Sequence, residues 1–146
     1  MAITSAICNS FKQEILEAEH NFTASTGNTF NLALYTSSAT LGAGTTAYTT
    51  TQEITNTSGT AYQPKGKALT SVTPTLDSST AVCDFADVSW TSASFTANGC
   101  LIFNDSHSTD AAVCAVAFGG DKTVSSGTFT IQFPAAAATT AIIRIA

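Results

Sequence analysis

The chain has 146 residues, 44% of them apolar and only 10% charged, with a net charge of −5. That length fits one domain with its own core, and the apolar share excludes compositional disorder. The five cations, Lys12, Lys65, Lys67, Lys122 and Arg144, are scattered, so no stripe is available to neutralise a run of phosphates or an anionic membrane, and neither nucleic acid nor membrane is expected as a partner.

Residues 1–20 carry one predicted helix, with Thr4 or Ser5 as its cap. Ile3, Ile7, Phe11 and Ile15 recur every four residues, and Leu16 widens the stripe. Lys12, Gln13, Glu14 and Glu17 occupy the other face, and the turn-rich stretch 21–28 ends the helix near Glu19 or His20. The N-terminal segment lacks a basic start and a continuous apolar run, so it does not resemble a secretory signal, and synthesis and folding in a reducing cytoplasm are expected. No apolar run approaches the ~20 residues of a membrane-spanning helix.

Residues 21–146 are expected to form a β domain. Phe30, Leu32 and Leu34 alternate with Asn31, Ala33 and Tyr35, the period of a half-buried strand. Residues 36–67 are rich in Thr, Ser and Gly and predict a long excursion with weak strands around Tyr48 and Tyr62. Strand patterns resume at 68–76, 81–86, 94–96, 100–104, 112–118, 128–133 and 141–145. Asn98-Gly99, Gly119-Gly120 and Ser126-Gly127 are the predicted turns between them. With no second helix for a parallel crossover, the expected fold is mostly β: an antiparallel sandwich, jelly-roll or Ig-like, with one N-terminal helix. Cys100 and Ile102 oppose Leu101 and Phe103, so that strand is apolar on both faces and needs a second cover, for which the helix is the candidate.

Candidate chemistry is sparse. Cys8, Cys83, Cys100 and Cys114 form no CxxC pair and have no His at zinc-finger spacing, so they are expected as small buried hydrophobes, with a disulfide among the strand cysteines as the alternative. Asn104 to Asp110 brings a Ser, a His and two carboxylates together, but within seven consecutive residues of good turn formers. A catalytic triad is assembled from distant segments, so an exposed polar loop is expected, with Asp105, His107 and Asp110 at the surface. Asp84 and Asp87 near Trp90 are expected as strand-end acids, and Trp90 as core. No catalytic residue, metal ligand or cofactor site is predicted, and the protein is expected not to be an enzyme.

Four segments in order, SFKQEILEAEHNF, FNLALYTSSATLGAGTTAYTTTQEIT, VCDFADVSWTSASFTANGCLIFND and AVAFGGDKTVSSGTFTIQFP, resemble small virion structural proteins of tailed bacteriophages. An early ALYTS and a late FGGDKTVSSG, which resembles the F-G-x-K-x-V-x-x-G turn typical of those proteins, carry the likeness, although Gln63-Pro64 is inserted in the turn around residues 57–67. The resemblance implies a virion location and other virion proteins as partners, either the major capsid protein or tail proteins. Its first expectation is a capsid decoration (cement) protein that stabilises the head. Its second is a tail or tail-fibre component acting as a carbohydrate- or receptor-binding module, which would show Trp90, Tyr48 and Tyr62 exposed together. A charge-poor surface resists association weakly. A homo-oligomer is therefore expected, with Ile7, Phe11, Ile15 and Leu16 as the assembly contact.

Overall fold

The computed structural model describes residues 2–146. Two antiparallel sheets and one short helix make up the fold, which is mostly β, as a sandwich requires. The elements are β1 (Ala6–Ile7), α1 (Asn9–Leu16), β2 (Phe30–Tyr35), β3 (Lys67–Ala68), β4 (Ser71–Asp77), β5 (Thr80–Phe85), β6 (Val88–Asn104), β7 (Ala111–Ile131) and β8 (Ile143–Ile145). The larger sheet has the order β1-β7-β6-β2-β3 and the smaller one β4-β5-β8.

The N-terminal helix is shorter than its periodicity predicts. It runs from Asn9 to Leu16, and Cys8 stands at its N-cap without a side-chain capping bond. The residues before it are claimed by β structure. Ala6 and Ile7 pair with Ala115 and Cys114, Ile3 bridges Leu41, and the Thr4 amide donates to the Leu41 carbonyl. Ser5 Oγ accepts from the Ala117 amide instead of capping a helix. A helical period of four thus coexists here with extended backbone, because long-range pairing outweighs a weak local preference. The helix closes in a Schellman arrangement: the Glu19 amide donates to the Glu14 carbonyl, and Ala18 adopts φ 60°.

β2 is buried on both faces, not half-buried as its alternation predicts. Phe30, Leu32 and Leu34 share the sandwich interior with Ile102 and Cys100 of β6. Phe22 stacks on Phe30 at 4.2 Å, and Phe85 of the small sheet lies 6.0 Å from it. The opposite face carries Leu101 and Phe103, and its cover is the excursion rather than the helix. Tyr48 stacks on Phe103 at 4.8 Å, and the Ile54 amide donates to the Leu34 carbonyl. Tyr35 Oη donates to the Thr49 carbonyl. Apart from single bridges at Leu41, Ala47 and Glu53, residues 36–66 form no strand, so the weak strand expected at Tyr62 is absent.

The predicted turn dipeptides lie inside strands. β6 and β7 form one long hairpin, paired from Val88↔Ile131 to Asn104↔Ala111, with register shifts along it. Asn98-Gly99, Gly119-Gly120 and Ser126-Gly127 fall at or beside those irregularities and bend the ribbon instead of ending it. Gly99 is needed for close approach: a Cβ there would stand 2.6 Å from the Val116 carbonyl oxygen and 2.7 Å from Ile3 Cδ1.

Candidate functional site

The Asn104–Asp110 loop is a fastening point, not a free loop. Lys65 Nζ sits between Asp105 Oδ1 and Asp110 Oδ2, 2.8 Å from each, and over the rings of Tyr48 and Phe103 at 5.7 and 6.0 Å. Asp105, His107 and Asp110 are half-buried, which corrects the expectation that they lie exposed. His107 Nε2 lies 2.7 Å from Glu19 Oε2, and its Nδ1 accepts from the Thr109 amide at 3.2 Å. Ser106 Oγ accepts from the Thr29 amide. The loop therefore ties the 36–66 excursion, the end of α1 and the entry to β2 to one hairpin end.

Behind it sits His20, whose role the sequence did not signal. Its ring is buried, 4.9 Å from the Phe11 ring, with Nε2 2.7 Å from Glu14 Oε2. Asn104 Nδ2 faces His20 Nδ1 at 3.1 Å and also the Glu19 carbonyl and Asn28 Oδ1, while Asn104 Oδ1 accepts from the Ser106 amide. That network makes Nδ2 the donor, so His20 Nδ1 accepts and Nε2 carries the proton towards Glu14. Asn104 is fully buried at the β6 terminus, where Phe30 is its cross-strand partner.

A second polar knot fastens the excursion. Glu53 is buried and accepts from Tyr48 Oη at 2.6 Å, Tyr62 Oη at 2.7 Å and the Lys65 amide at 2.8 Å. Tyr62 Oη accepts in turn from the Leu34 amide. Burial first, then the hydrogen bond to Glu53, pushes the Tyr48 phenol up to about 12, and burial holds Tyr62 well above the usual phenol range.

The aromatic trio that a sugar platform would require is not displayed. Trp90 is 1% exposed and packs against Tyr62, Phe95 and Phe129 at ring separations of 6.1, 6.4 and 6.2 Å. Tyr62 is fully buried, and Tyr48 lies half-buried on Phe103. Asp84 Oδ1 accepts from the Phe85 amide and Asp87 Oδ1 from the Phe133 amide, so both carboxylates satisfy backbone at strand ends.

All four cysteines are free thiols; Cys8, Cys100 and Cys114 are buried and Cys83 half-buried. Burial pushes Cys8 and Cys83 up to about 11 and Cys100 to about 12, with Glu14 adding to the effect at Cys8. Burial, with Cys100 and Cys8 nearby, raises Cys114 well above the ordinary thiol range. Such thiols are poor nucleophiles. Among the described residues, no group of three or more His, Cys, Asp and Glu side chains is placed to hold a metal ion, and no helix is long and apolar enough to cross a membrane.

The four residues expected as an assembly contact do not form one face. Ile7 lies on β1, Phe11 is buried in the subunit's own core, and Ile15 packs half-buried beside it. Leu16 alone projects, 87% exposed. Further outward apolar groups stand on the small sheet: Leu76 and Ile145 flank Ala81 in one cross-strand row, and Val72 lies further along β4. Comparison with family models, curated proteins and solved structures finds no match.

Proposed function

We propose that this chain is a non-enzymatic structural protein of a tailed-phage virion, made in the host cytoplasm, and that it decorates and stabilises the capsid. One observation carries the non-enzymatic, assembling part of this reading. The polar side chains that could serve chemistry are engaged as fasteners of the fold, while apolar side chains are left on a surface poor in charge. His107 is turned to Glu19 rather than to Ser106, whose hydroxyl accepts from the Thr29 amide. Leu76 and Ile145 stand exposed in one cross-strand row across Ala81, and a contiguous apolar row of that kind is what an assembling subunit covers with neighbours. The virion assignment itself rests on the resemblance of the four ordered segments.

The tail-fibre reading has less support. Sugar-binding modules stack aromatic faces on the ligand, and Trp90 and Tyr62 are spent on the core.

The test is to delete the gene in its phage, purify particles and add back the pure subunit. Stoichiometric binding to heads, with recovery of head resistance to heat, is the expected result. Binding confined to tails moves the protein to the tail, and absence from wild-type particles by mass spectrometry refutes a virion role altogether.

A further inference from the structure

A trough of about 610 Å³ opens on the β7 side of the sandwich. Its floor is the buried row Leu32, Cys100 and Ile102, and Phe129, Ile131 and Phe133 form half-buried walls. Its lining contains one charged side chain, Lys122, which is exposed at the surface. The trough exists because the sheets differ in extent: five strands face three, and β8 is only three residues long. The interior row beneath it is itself buried, and the apolar surface left open belongs to Val116, Phe118, Phe129, Ile131 and Phe133.

The end of α1 has the opposite character. Leu16, Glu17, Ala18 and Glu19 are all exposed, on the turn that closes the helix. Leu16 is the most exposed large apolar side chain among the described residues. Its neighbours Glu17 and Glu19 are acids, and the last helical turn carries no base. Trough and corner both present apolar side chains to a partner, and the exposed Glu17 of the corner is opposite in sign to Lys122 of the trough.

We propose that the Leu16 corner of one copy seats in the Lys122-lined trough of a second copy, with Glu17 facing Lys122 across the rim. The corner and the trough share no residue, and docking in one direction only makes the contact heterologous; two copies that exchanged corners about a two-fold axis would instead close as a dimer. Each added copy leaves one trough and one corner unfilled, and growth continues until a ring closes or an array forms. This names the self-contact within the assembly reading above, and it can fail while that reading stands.

The test uses the whole chain in analytical ultracentrifugation from low micromolar to millimolar concentration. Wild type is expected to associate in a concentration-dependent way. Leu16→Asp removes an apolar side chain worth roughly ten- to a hundredfold in affinity when fully buried, and it should leave the protein monomeric over most of that range. Lys122→Glu sets like charges across the rim and should weaken association by about tenfold or more. Both positions are exposed, so melting temperatures should match wild type.

The decisive sample is a mixture of the two variants. The first retains an intact trough and the second an intact corner, so together they should form a one-to-one dimer that grows no further. The pair Glu17→Lys with Lys122→Glu in one chain should restore association that either change alone weakens. A wild type that stays monomeric, a mixture that does not pair, or association broken by Leu76→Asp but not by Leu16→Asp overturns the proposal. A monomer that still binds phage heads overturns this contact alone and leaves the structural role intact.

Discussion

At the scale of single residues, Glu53 is a carboxylate that fastens three donors: two phenols and a backbone amide. A carboxylate offers only acceptors, whereas a carboxamide would turn an N–H₂ group towards at least one of those donors. Glu53→Gln is therefore expected to cost about 1–3 kcal/mol, read as a lower urea midpoint with an unchanged slope. A midpoint within error of wild type would show that the knot does not hold the excursion. The thiols give a second expectation, in alkali. Cys8, Cys83 and Cys100 hold their protons up to about 11, 11 and 12 in the folded chain, against about 8.5 when unfolded. Between those values the folded state binds more protons than the unfolded state, so stability falls as pH rises. The contribution is whole below about pH 8.5 and is lost as pH climbs through the folded values near 11 to 12, and the Tyr48 phenol, raised to about 12, adds to the loss in the upper part of that window. Denaturation midpoints measured across alkaline pH check this; a flat profile would mean that the thiols are already solvated.

Among the elements, α1 buries one large apolar side chain in the core and leaves another in solvent within two turns. Phe11 is 3% exposed against the His20, Phe22 and Phe30 cluster, while Leu16, five residues later, stands in solvent. Phe11→Asp should therefore unfold or severely destabilise the isolated subunit, by roughly 3–5 kcal/mol or more, as large-to-small core changes at aromatic sites do. Circular dichroism melting reads this, and an unchanged melting temperature would place Phe11 outside the core. The β6–β7 hairpin gives the next expectation. A Cβ at Gly99 would meet both the Val116 carbonyl and Ile3, so Gly99→Ala should cost about 1–3 kcal/mol through overpacking. Adding Ile3→Ala removes one of the two clashes and should recover part of the Gly99 penalty, a coupling that a double-mutant cycle measures. Strict additivity would show that Ile3 does not rest on Gly99.

For the whole molecule, charge is sparse, and most of its cations are engaged within the chain. Lys65 lies between Asp105 and Asp110, Arg144 donates to the Ala138 carbonyl, and Lys67 stands 5.6 Å from the Trp90 ring centre. With ten acids against five cations, no basic face results. The purified protein should pass through a heparin column at physiological salt, and salt-dependent retention would reveal a cationic surface that this arrangement does not contain. The same scarcity of charge leaves few repulsive terms between copies, which is why exposed side chains such as Leu16 carry weight in any association.

The sequence alone determined the class of the fold and the chemical temper of the protein. Alternation at Phe30–Tyr35 and at residues 128–133 marks strands because a period of two is written in neighbouring residues, and the absence of a second periodic helix excludes parallel crossovers. Burial of Trp90 followed from its type, and the placement of most thiols inside followed from theirs. Tertiary structure decided everything that depends on which distant segments meet. Ile3 and Ile7 fit a helical stripe, yet their backbone is extended because Leu41 and Cys114 offer partners that local periodicity does not record. The glycine pairs resemble turns, yet they bend a continuous hairpin, since a bulge and a turn ask the same freedom of a single residue. His20, Glu53 and Lys65 carried no local signal at all. His20 and Lys65 acquired their roles only when the fold brought them to Asn104 and Asp105 far along the chain, and Glu53 when the excursion folded back to set Tyr48, Tyr62 and the Lys65 amide around it, because buried polar groups must find hydrogen bonds wherever the packing leaves them.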